Sequence, residues 1–260
     1  MFVNERYKII CELIKKNGAA TTTALSKRLG VSIETVRKDL LELEKNKKLI
    51  RVHGGAIGAG ESAPILNLEK RMEAHRREKT ETSYAAAALI KEGDIIAIDS
   101  GSTASRFIEI LMERFSRLTI VTASTDVFDK ARNYKDFQII LCGGNYNREE
   151  NSFTGEFTVE AMKNFHVKKS FIFPSAVSIA GGIETYQDKF FGLQKTLISI
   201  ADEVVIMADS SKFEKTAFIK ISDINTGYIF VTDSSVSPEI KEIYKTNGIN
   251  LITGETQNDR

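Results

Sequence analysis

The sequence predicts an α/β protein in two parts, a small N-terminal winged helix-turn-helix joined to a larger C-terminal α/β domain. Three observations predict it. The first sixty residues carry helical apolar stripes punctuated by capping residues and turn glycines. From Asp94 onward, short apolar runs alternate with amphipathic helical segments. Charge is also divided unevenly: residues 1–57 hold twelve Lys or Arg against six Asp or Glu, a net +6, while the remainder holds 24 against 29, a net −5. A basic head on an acidic body points to nucleic-acid contact through the head alone.

Length and composition set the outer bounds. A chain of 260 residues with net charge +1, 42% hydrophobic and 27% charged, has the composition of a globular protein with a core of its own, which excludes disordered and collagen-like classes. No apolar run reaches the roughly 18 residues that span a bilayer, and the N-terminal stretch lacks a signal-peptide core. Cys11 and Cys142 make neither a disulfide framework nor a clustered metal site. The expectation is a cytoplasmic protein without metal, cofactor or membrane contact.

Tyr7, Ile10, Cys11 and Ile14 fall on one face of a first helix, which Asn17-Gly18 ends. Thr21–Thr23 cap a second helix carrying Ala24, Leu25 and Leu29, and Gly30 stops it. Ser32 caps a third helix from about Ile33 to Asn46, with Val36, Leu40 and Leu43 as its buried stripe. Two helices joined by a tight turn behind a packing helix describe a helix-turn-helix, whose third helix meets base edges with its N-terminal part. The outward residues there are Ser32, Glu34, Thr35, Arg37 and Lys38. Arg37 can fork to a guanine, and Ser32 and Thr35 can reach phosphate or base. Leu49–His53 is β-prone and Gly54-Gly55 lets it turn, giving a wing that carries Arg51 and His53 toward the DNA.

The run Val31-Ser32-Ile33-Glu34-Thr35-Val36-Arg37-Lys38-Asp39-Leu40, followed by Arg51-Val52-His53-Gly54-Gly55-Ala56, resembles the signature of the DeoR family of bacterial transcriptional regulators. That family usually reads Val-Ser-x-x-Thr-Ile-Arg-Arg-Asp-Leu and then Arg-Val-His-Gly-Gly-Ala. Val36 and Lys38 depart from it, and Lys38 keeps the charge while losing the planar fork.

Gly58–Pro64 reads as a linker, and residues 69–83 as the start of a connecting helix whose many charges face solvent, buried only from Ala85 to Ile90. This divides the chain into a DNA-binding head (1–57), a linker and connecting helix (58–83) and a C-terminal domain (84–260). Strands are expected at Ile95–Ile98, Leu118–Thr122, Phe137–Leu141, Ser170–Phe173, Glu203–Met207, Tyr228–Val231 and Asn250–Ile252. Helices are expected near 103–115, 125–133, 156–164, 188–200 and 237–246. Continuous apolar strands alternating with helices make a largely parallel sheet covered on both faces, with ligands at the carboxyl ends of its strands.

Asp99-Ser100-Gly101-Ser102-Thr103, directly after the first strand and opening a helix, is a phosphate cradle by position: Gly101 permits close approach, and Ser102 and Thr103 add hydroxyls beside helix N-terminal amides. It lacks the Gly-Lys-Ser/Thr element of a Walker loop. Similar character recurs at Ser124, at Gly143-Gly144, at Asp209 with Lys212, and at Gly155, all expected to converge on one rim as a polar ligand pocket.

This half also resembles the DeoR family, in Asp-Ser-Gly-Ser-Thr, Leu-Thr-Ile-Val-Thr, Leu-Cys-Gly-Gly and Ala-Asp-Ser-Ser-Lys-Phe, and the likeness covers about residues 3–253. It implies a sensor domain resembling sugar-phosphate isomerases, a phosphorylated sugar as effector, and Asp99, Gly101, Ser102, Thr103 and Lys212 at its site. Ser124 and Pro174 depart from the pattern: the family commonly has Asn followed by Ser at the first, and Gly at the second. The three histidines, His53, His75 and His166, fall outside the strand-end pocket, so no catalytic residue is assigned. The expected function is a DNA-binding transcriptional regulator, a repressor of a sugar-metabolism operon released or aligned by its effector. Its partners are operator DNA and a second copy of the chain, as a dimer or tetramer, because one head buries too little DNA surface. The alternative is a sugar-phosphate isomerase or deaminase-like enzyme with a fused DNA-binding head, its acid-base set drawn from Asp99, Glu156, Asp209 and Lys212.

Overall fold

The computed structural model describes residues 2–52, 54–58 and 68–254. In the head, α1 (Val3–Asn17) leads into a short strand β1 (Ala19–Thr21), then α2 (Thr22–Leu29) and α3 (Ile33–Lys45). β2 (Leu49–Val52) and β3 (Gly55–Gly58) form the wing hairpin, and β1 completes an antiparallel sheet in the order β1-β3-β2. The caps fall where the side-chain chemistry requires. Thr21 Oγ1 accepts the Ala24 N–H at 3.0 Å, Ser32 Oγ accepts the Thr35 N–H at 3.1 Å, and Gly30 turns left-handed between the two helices. Ile10, Ile14, Leu25, Leu29, Val36, Leu40, Leu43 and Leu49 close over one another as the head's own core.

Between head and body, α4 (Leu68–Glu73) and α5 (Arg76–Ala87) replace the single expected helix. The break lies at His75, which adopts φ 54°. Most of the charged run faces solvent as expected, Glu69, Lys70, Glu73, Arg76 and Arg77 being exposed, but Lys79 and Glu81 turn inward and are 4% and 3% exposed. Lys79 Nζ donates to the carbonyls of Arg71 and Ala74 across the break, and Glu81 Oε2 accepts the Ser234 N–H at 2.9 Å. Burial is tolerated because these charges find partners.

The body follows as β4 (Ile95–Ile98), α6 (Ser102–Arg114), β5 (Thr119–Thr122), α7 (Thr125–Ala131) and β6 (Gln138–Leu141). Then come a hairpin of β7 (Asn145–Asn147) and β8 (Ser152–Thr154), α8 (Glu156–Lys163) and β9 (Val167–Ile172). After these lie β10 (Ala176–Ser178), β11 (Gly182–Thr185), a 3-10 turn running into α9 (Phe191–Ser199), β12 (Ala201–Met207) and β13 (Ile219–Ser222). β14 (Ile229–Thr232), α10 (Pro238–Thr246) and β15 (Asn250–Thr253) close it.

All seven expected strands enter one sheet in the order β15-β14-β12-β9-β4-β5-β6, every pair parallel. Alternation along each strand feeds two cores: Ile96, Ile98 and Phe171 pack under α5, α6 and α7, while Ala97, Ile172 and Ile206 face Leu193, Leu197 and Tyr244 of α9 and α10. The second sheet, antiparallel in the order β10-β11-β13, and the β7-β8 hairpin are additions the apolar pattern did not announce. Among the described residues, no helix is long and apolar enough to cross a membrane.

Candidate functional site

The strand order fixes where a ligand can enter. From β4 the chain runs outward through β5 to β6, then returns to place β9 on the other side of β4 and continues outward through β12. The sheet therefore reverses between β4 and β9, and the crevice of such a sheet opens at the carboxyl ends of the strands flanking the reversal. A cavity of about 910 Å³ lies there.

The cavity wall gathers Asp99 to Thr103 after β4, Phe173 to Ser175 after β9, and Asp209, Ser211 and Lys212 after β12. Gly101 caps α6 at φ 121° without a side-chain hydrogen bond, a conformation side-chain-bearing residues rarely adopt. The first turn of α6 therefore presents its amide donors uncapped beside the buried hydroxyls of Ser102 and Thr103.

Asp99 is 2% exposed and accepts from the Ser100 N–H at 2.8 Å, Gln194 Nε2 at 2.8 Å and the Phe173 N–H at 3.2 Å. Burial nevertheless outweighs these donors and pushes its carboxyl up to about 6. Lys212 Nζ donates to the Pro174 carbonyl at 3.1 Å and lies 3.8 Å from Asp209 Oδ2. Pro174 thus serves the pocket floor through its carbonyl, which needs no particular side chain. Burial would raise the Asp209 carboxyl, but the Lys212 charge and the Ser211 hydroxyl hold it below the usual carboxylate range. Lys212 is lowered by burial and by Arg71, against the pull of Asp209. Lys79 is lowered to about 8, first by burial and then by the charge of Lys212.

Ser124, Gly143, Gly144 and Gly155 do not join this lining, correcting the expected convergence of every strand end. Ser124 follows β5 and Gly143-Gly144 follow β6, on the far side of β4 from the reversal, while Gly155 follows β8. Ser124 Oγ caps α7 by accepting the Val127 N–H at 3.3 Å. Gly144 lies so close to α8 that a Cβ there would stand 2.0 Å from Thr158 Oγ1. Gly155 is the N-cap of α8.

Several lining residues were not legible beforehand. Arg71, His75 and Lys79 come from the connecting helices and the break between them, so His75 corrects the expectation that every histidine falls outside the pocket. Glu150 comes from the β7-β8 loop, and Gln187 and Gln194 from the segment after β11. Glu150 is 7% exposed, is ion-paired with Arg71 and accepts Gln187 Nε2 at 2.7 Å. The charge run at 69–83 was the available signal, since three of its basic side chains face this cavity.

On the head, the N-terminal half of α3 buries Val36 in the core and turns its polar side chains outward. Arg37 and Glu34 are 61% and 67% exposed and ion-paired at 3.2 Å, Lys38 is exposed, and Ser32 and Thr35 share a hydroxyl contact at 2.9 Å. Arg51 is held on the wing by its N–H, which donates to Glu44 Oε1 at 2.8 Å. His53 lies outside the described residues. Asp39, part of the motif, turns inward: it is 4% exposed and takes two bonds from the Arg6 guanidinium, at 2.7 and 2.9 Å. It locks α1 to α3.

Comparison with known proteins agrees with this two-part layout. Residues 6–60 match the model of the DeoR-like helix-turn-helix domain, and residues 74–234 that of the DeoR C terminal sensor domain. The HTH-type transcriptional repressor GlcR of Bacillus subtilis is 27% identical over 98% of both chains. The lactose phosphotransferase system repressor of Lactococcus lactis is 28% identical over 90% of this chain and 92% of that one. Among solved structures, ribose 5-phosphate isomerase A of Methanocaldococcus jannaschii overlaps 54% of this chain and 55% of its own, at 18% identity and a TM-score of 0.39.

Proposed function

This chain belongs to the DeoR family of transcriptional regulators, and from that premise we propose that it represses a sugar-metabolism operon under control of a phosphorylated sugar. One observation carries the effector half of this reading. Uncapped α6 amides, Lys79, Lys212 and Arg71 converge on one cavity at the sheet reversal, where burial holds both lysines below their ordinary pKa, a cost that added negative charge would offset. A phosphate group supplies that charge and accepts from the amides. Asp99, Gly101, Ser102, Thr103, Asp209 and Lys212 are the residues assigned to the effector, and Gln194, which holds Asp99, is added to them as a positioning residue.

Ser32, Glu34, Thr35, Arg37 and Lys38 of α3, with Arg51 and His53 of the wing, are assigned to DNA. The domain boundaries at 57 and 83 follow the same division, except that α4 and α5 also contribute to the cavity wall. The heads of a dimer or tetramer would be paired on two half-sites.

Fluorescence anisotropy on DNA from the chain's own upstream region tests this, with a panel of sugar phosphates each paired with its unphosphorylated sugar. One phosphorylated member is expected to change DNA affinity by about fivefold or more. DNA affinity unmoved by every saturating ligand would sink the effector reading. Turnover of a panel member would replace it with an enzymatic one.

A further inference from the structure

The cavity is not walled by the body alone. Its outer side is formed by the head, through Ile14, Lys15 and Gly18 at the end of α1 and Lys47-Lys48 in the turn between α3 and β2. The head reaches it because a patch of its wing sheet is seated on the body. Ala19 and Ile57 share a buried apolar cluster with Ala176, Tyr186 and Ala217, with Ile50 and Phe218 packed against it. The fit is close: a Cβ on Gly55 would meet the Phe218 ring at 2.8 Å, and one on Gly18 would lie 3.7 Å from Tyr186 Oη. Tyr186 itself is held by its hydroxyl, which donates to the Thr216 carbonyl at 3.0 Å, and it lines the cavity as well.

Lys15, Lys47 and Lys48 are all exposed, and none forms an ion pair among the described residues. This differs from Arg71 and Lys212 of the body, which are paired with Glu150 and Asp209. The cavity thus has an inner end where cations are matched by acids and backbone carbonyls, and an outer end where the head lysines have no acidic partner among the described residues. A volume of about 910 Å³ sits near the top of the range for small-ligand sites, which run to about 1,000 Å³. A ligand anchored on α6 therefore leaves room for contact with the head.

We propose that the DNA-binding head is itself half of the effector site: Lys15, Lys47 and Lys48 contribute to binding the anionic ligand, so that ligand occupancy and the seating of the head on the body are one equilibrium. This rests on the effector reading above and deepens it. A ligand that contacts the head only when seated must favour the seated state by the same factor as seating favours the ligand. The signal then passes across the Tyr186–Phe218 contact and the lysine wall.

The test is calorimetric titration of inorganic phosphate into the full chain without DNA, which removes any part the lysines play at a phosphate backbone. The Lys47→Ala, Lys48→Ala double variant is expected to bind phosphate about threefold to tenfold more weakly, the scale of two partly screened charges. The corresponding Arg variants should restore most of the loss. Phe218→Ser, which alters the seat and not the cavity lining, should weaken phosphate as well. Unchanged affinity in both, with binding abolished by Lys212→Ala, would place the whole site in the body and overturn the inference while leaving the effector reading standing. No phosphate binding by the unaltered chain would remove both.

Discussion

The head and the body carry their functional groups in opposite ways. On α3 the residues assigned to DNA stand on the outside of a closed core, held by local contacts three residues apart such as Glu34–Arg37 and Ser32–Thr35. In the body most of the assigned residues are buried, and two of the charged ones are held by partners distant in sequence, Asp99 by Gln194 and Phe173 and Lys212 by Pro174, as is the neighbouring Glu150 by Arg71. A surface reader can change its residues without disturbing the fold beneath. A buried sensor cannot, because its polar groups are satisfied only as a set. Altering the reading face should therefore move DNA binding alone, and altering the sensor should move stability and ligand response together.

The largest effect expected is on the one motif residue of α3 that obeys the body's rule. Asp39→Ala removes the acceptor of both Arg6 bonds and leaves a half-buried guanidinium against the α1–α3 seam. The melting temperature of the head should fall by about 5–10 °C, with DNA binding lost as a consequence. Circular dichroism melts beside Lys38→Ala check it, since Lys38 neighbours Asp39 in sequence yet points outward. Equal melting of the two variants would mean that the motif aspartate belongs to the reading face.

This division also explains what was legible in the sequence. The helices of the head were readable because each is built on one apolar stripe and α2 and α3 carry Thr and Ser N-caps, whereas β1 was not, because Thr21 reads as a cap and the strand is only three residues long. The central sheet was readable because parallel strands buried on both faces are continuous apolar runs. β10, β11 and β13 were not, because Ser178, Gly182 and Glu184 break any apolar pattern and are buried through specific bonds, such as the Ala217 N–H donating to Glu184 Oε2 at 3.0 Å. The strand order was equally invisible, and it alone decides that the ends of β4, β9 and β12 meet while Ser124 and Gly144 lie elsewhere. Within the connecting run, charge predicts solvent for Glu69, Lys70, Glu73, Arg76 and Arg77, but not for Lys79 and Glu81, which are buried against backbone and side-chain partners that only the folded chain assembles.

An intermediate effect is expected from pH. Asp99 has its carboxyl raised from 3.8 to about 6 in the folded protein, chiefly by burial. Below about pH 4 the group is protonated folded or unfolded and has no influence on pH dependence. Between pH 4 and 6 the folded state holds the proton that the unfolded state has released, so stability falls as pH rises through that window and levels off above it. The loss is on the order of 1–3 kcal/mol. Urea unfolding at pH 5 and pH 7.5 should show this decline in the unaltered chain and a smaller one in Asp99→Asn, which has no proton to exchange. A bound phosphate, itself anionic beside Asp99, should bind more tightly on the acid side of the window for as long as its own charge is kept. An identical pH slope in the two proteins would show that burial of Asp99 is relieved by water in solution.

The smallest effect on stability, and the sharpest test of the contrast, comes from Glu34→Ala. Its ion pair with Arg37 is mostly exposed, so its removal should change folding stability by no more than about 0.5 kcal/mol. Yet it releases the Arg37 guanidinium from its only acidic partner among the described residues and removes a negative charge from the surface assigned to DNA. Affinity for DNA of any sequence should rise a few-fold, most visibly at low salt, with ligand-induced melting shifts unaltered. Anisotropy on the chain's own upstream DNA and on an unrelated duplex separates two roles for the carboxylate. An equal gain on both marks Glu34 as a brake on nonspecific binding. A gain on the unrelated duplex with a loss on the specific one would show that Glu34 reads a base itself, accepting from a cytosine amino group in the major groove.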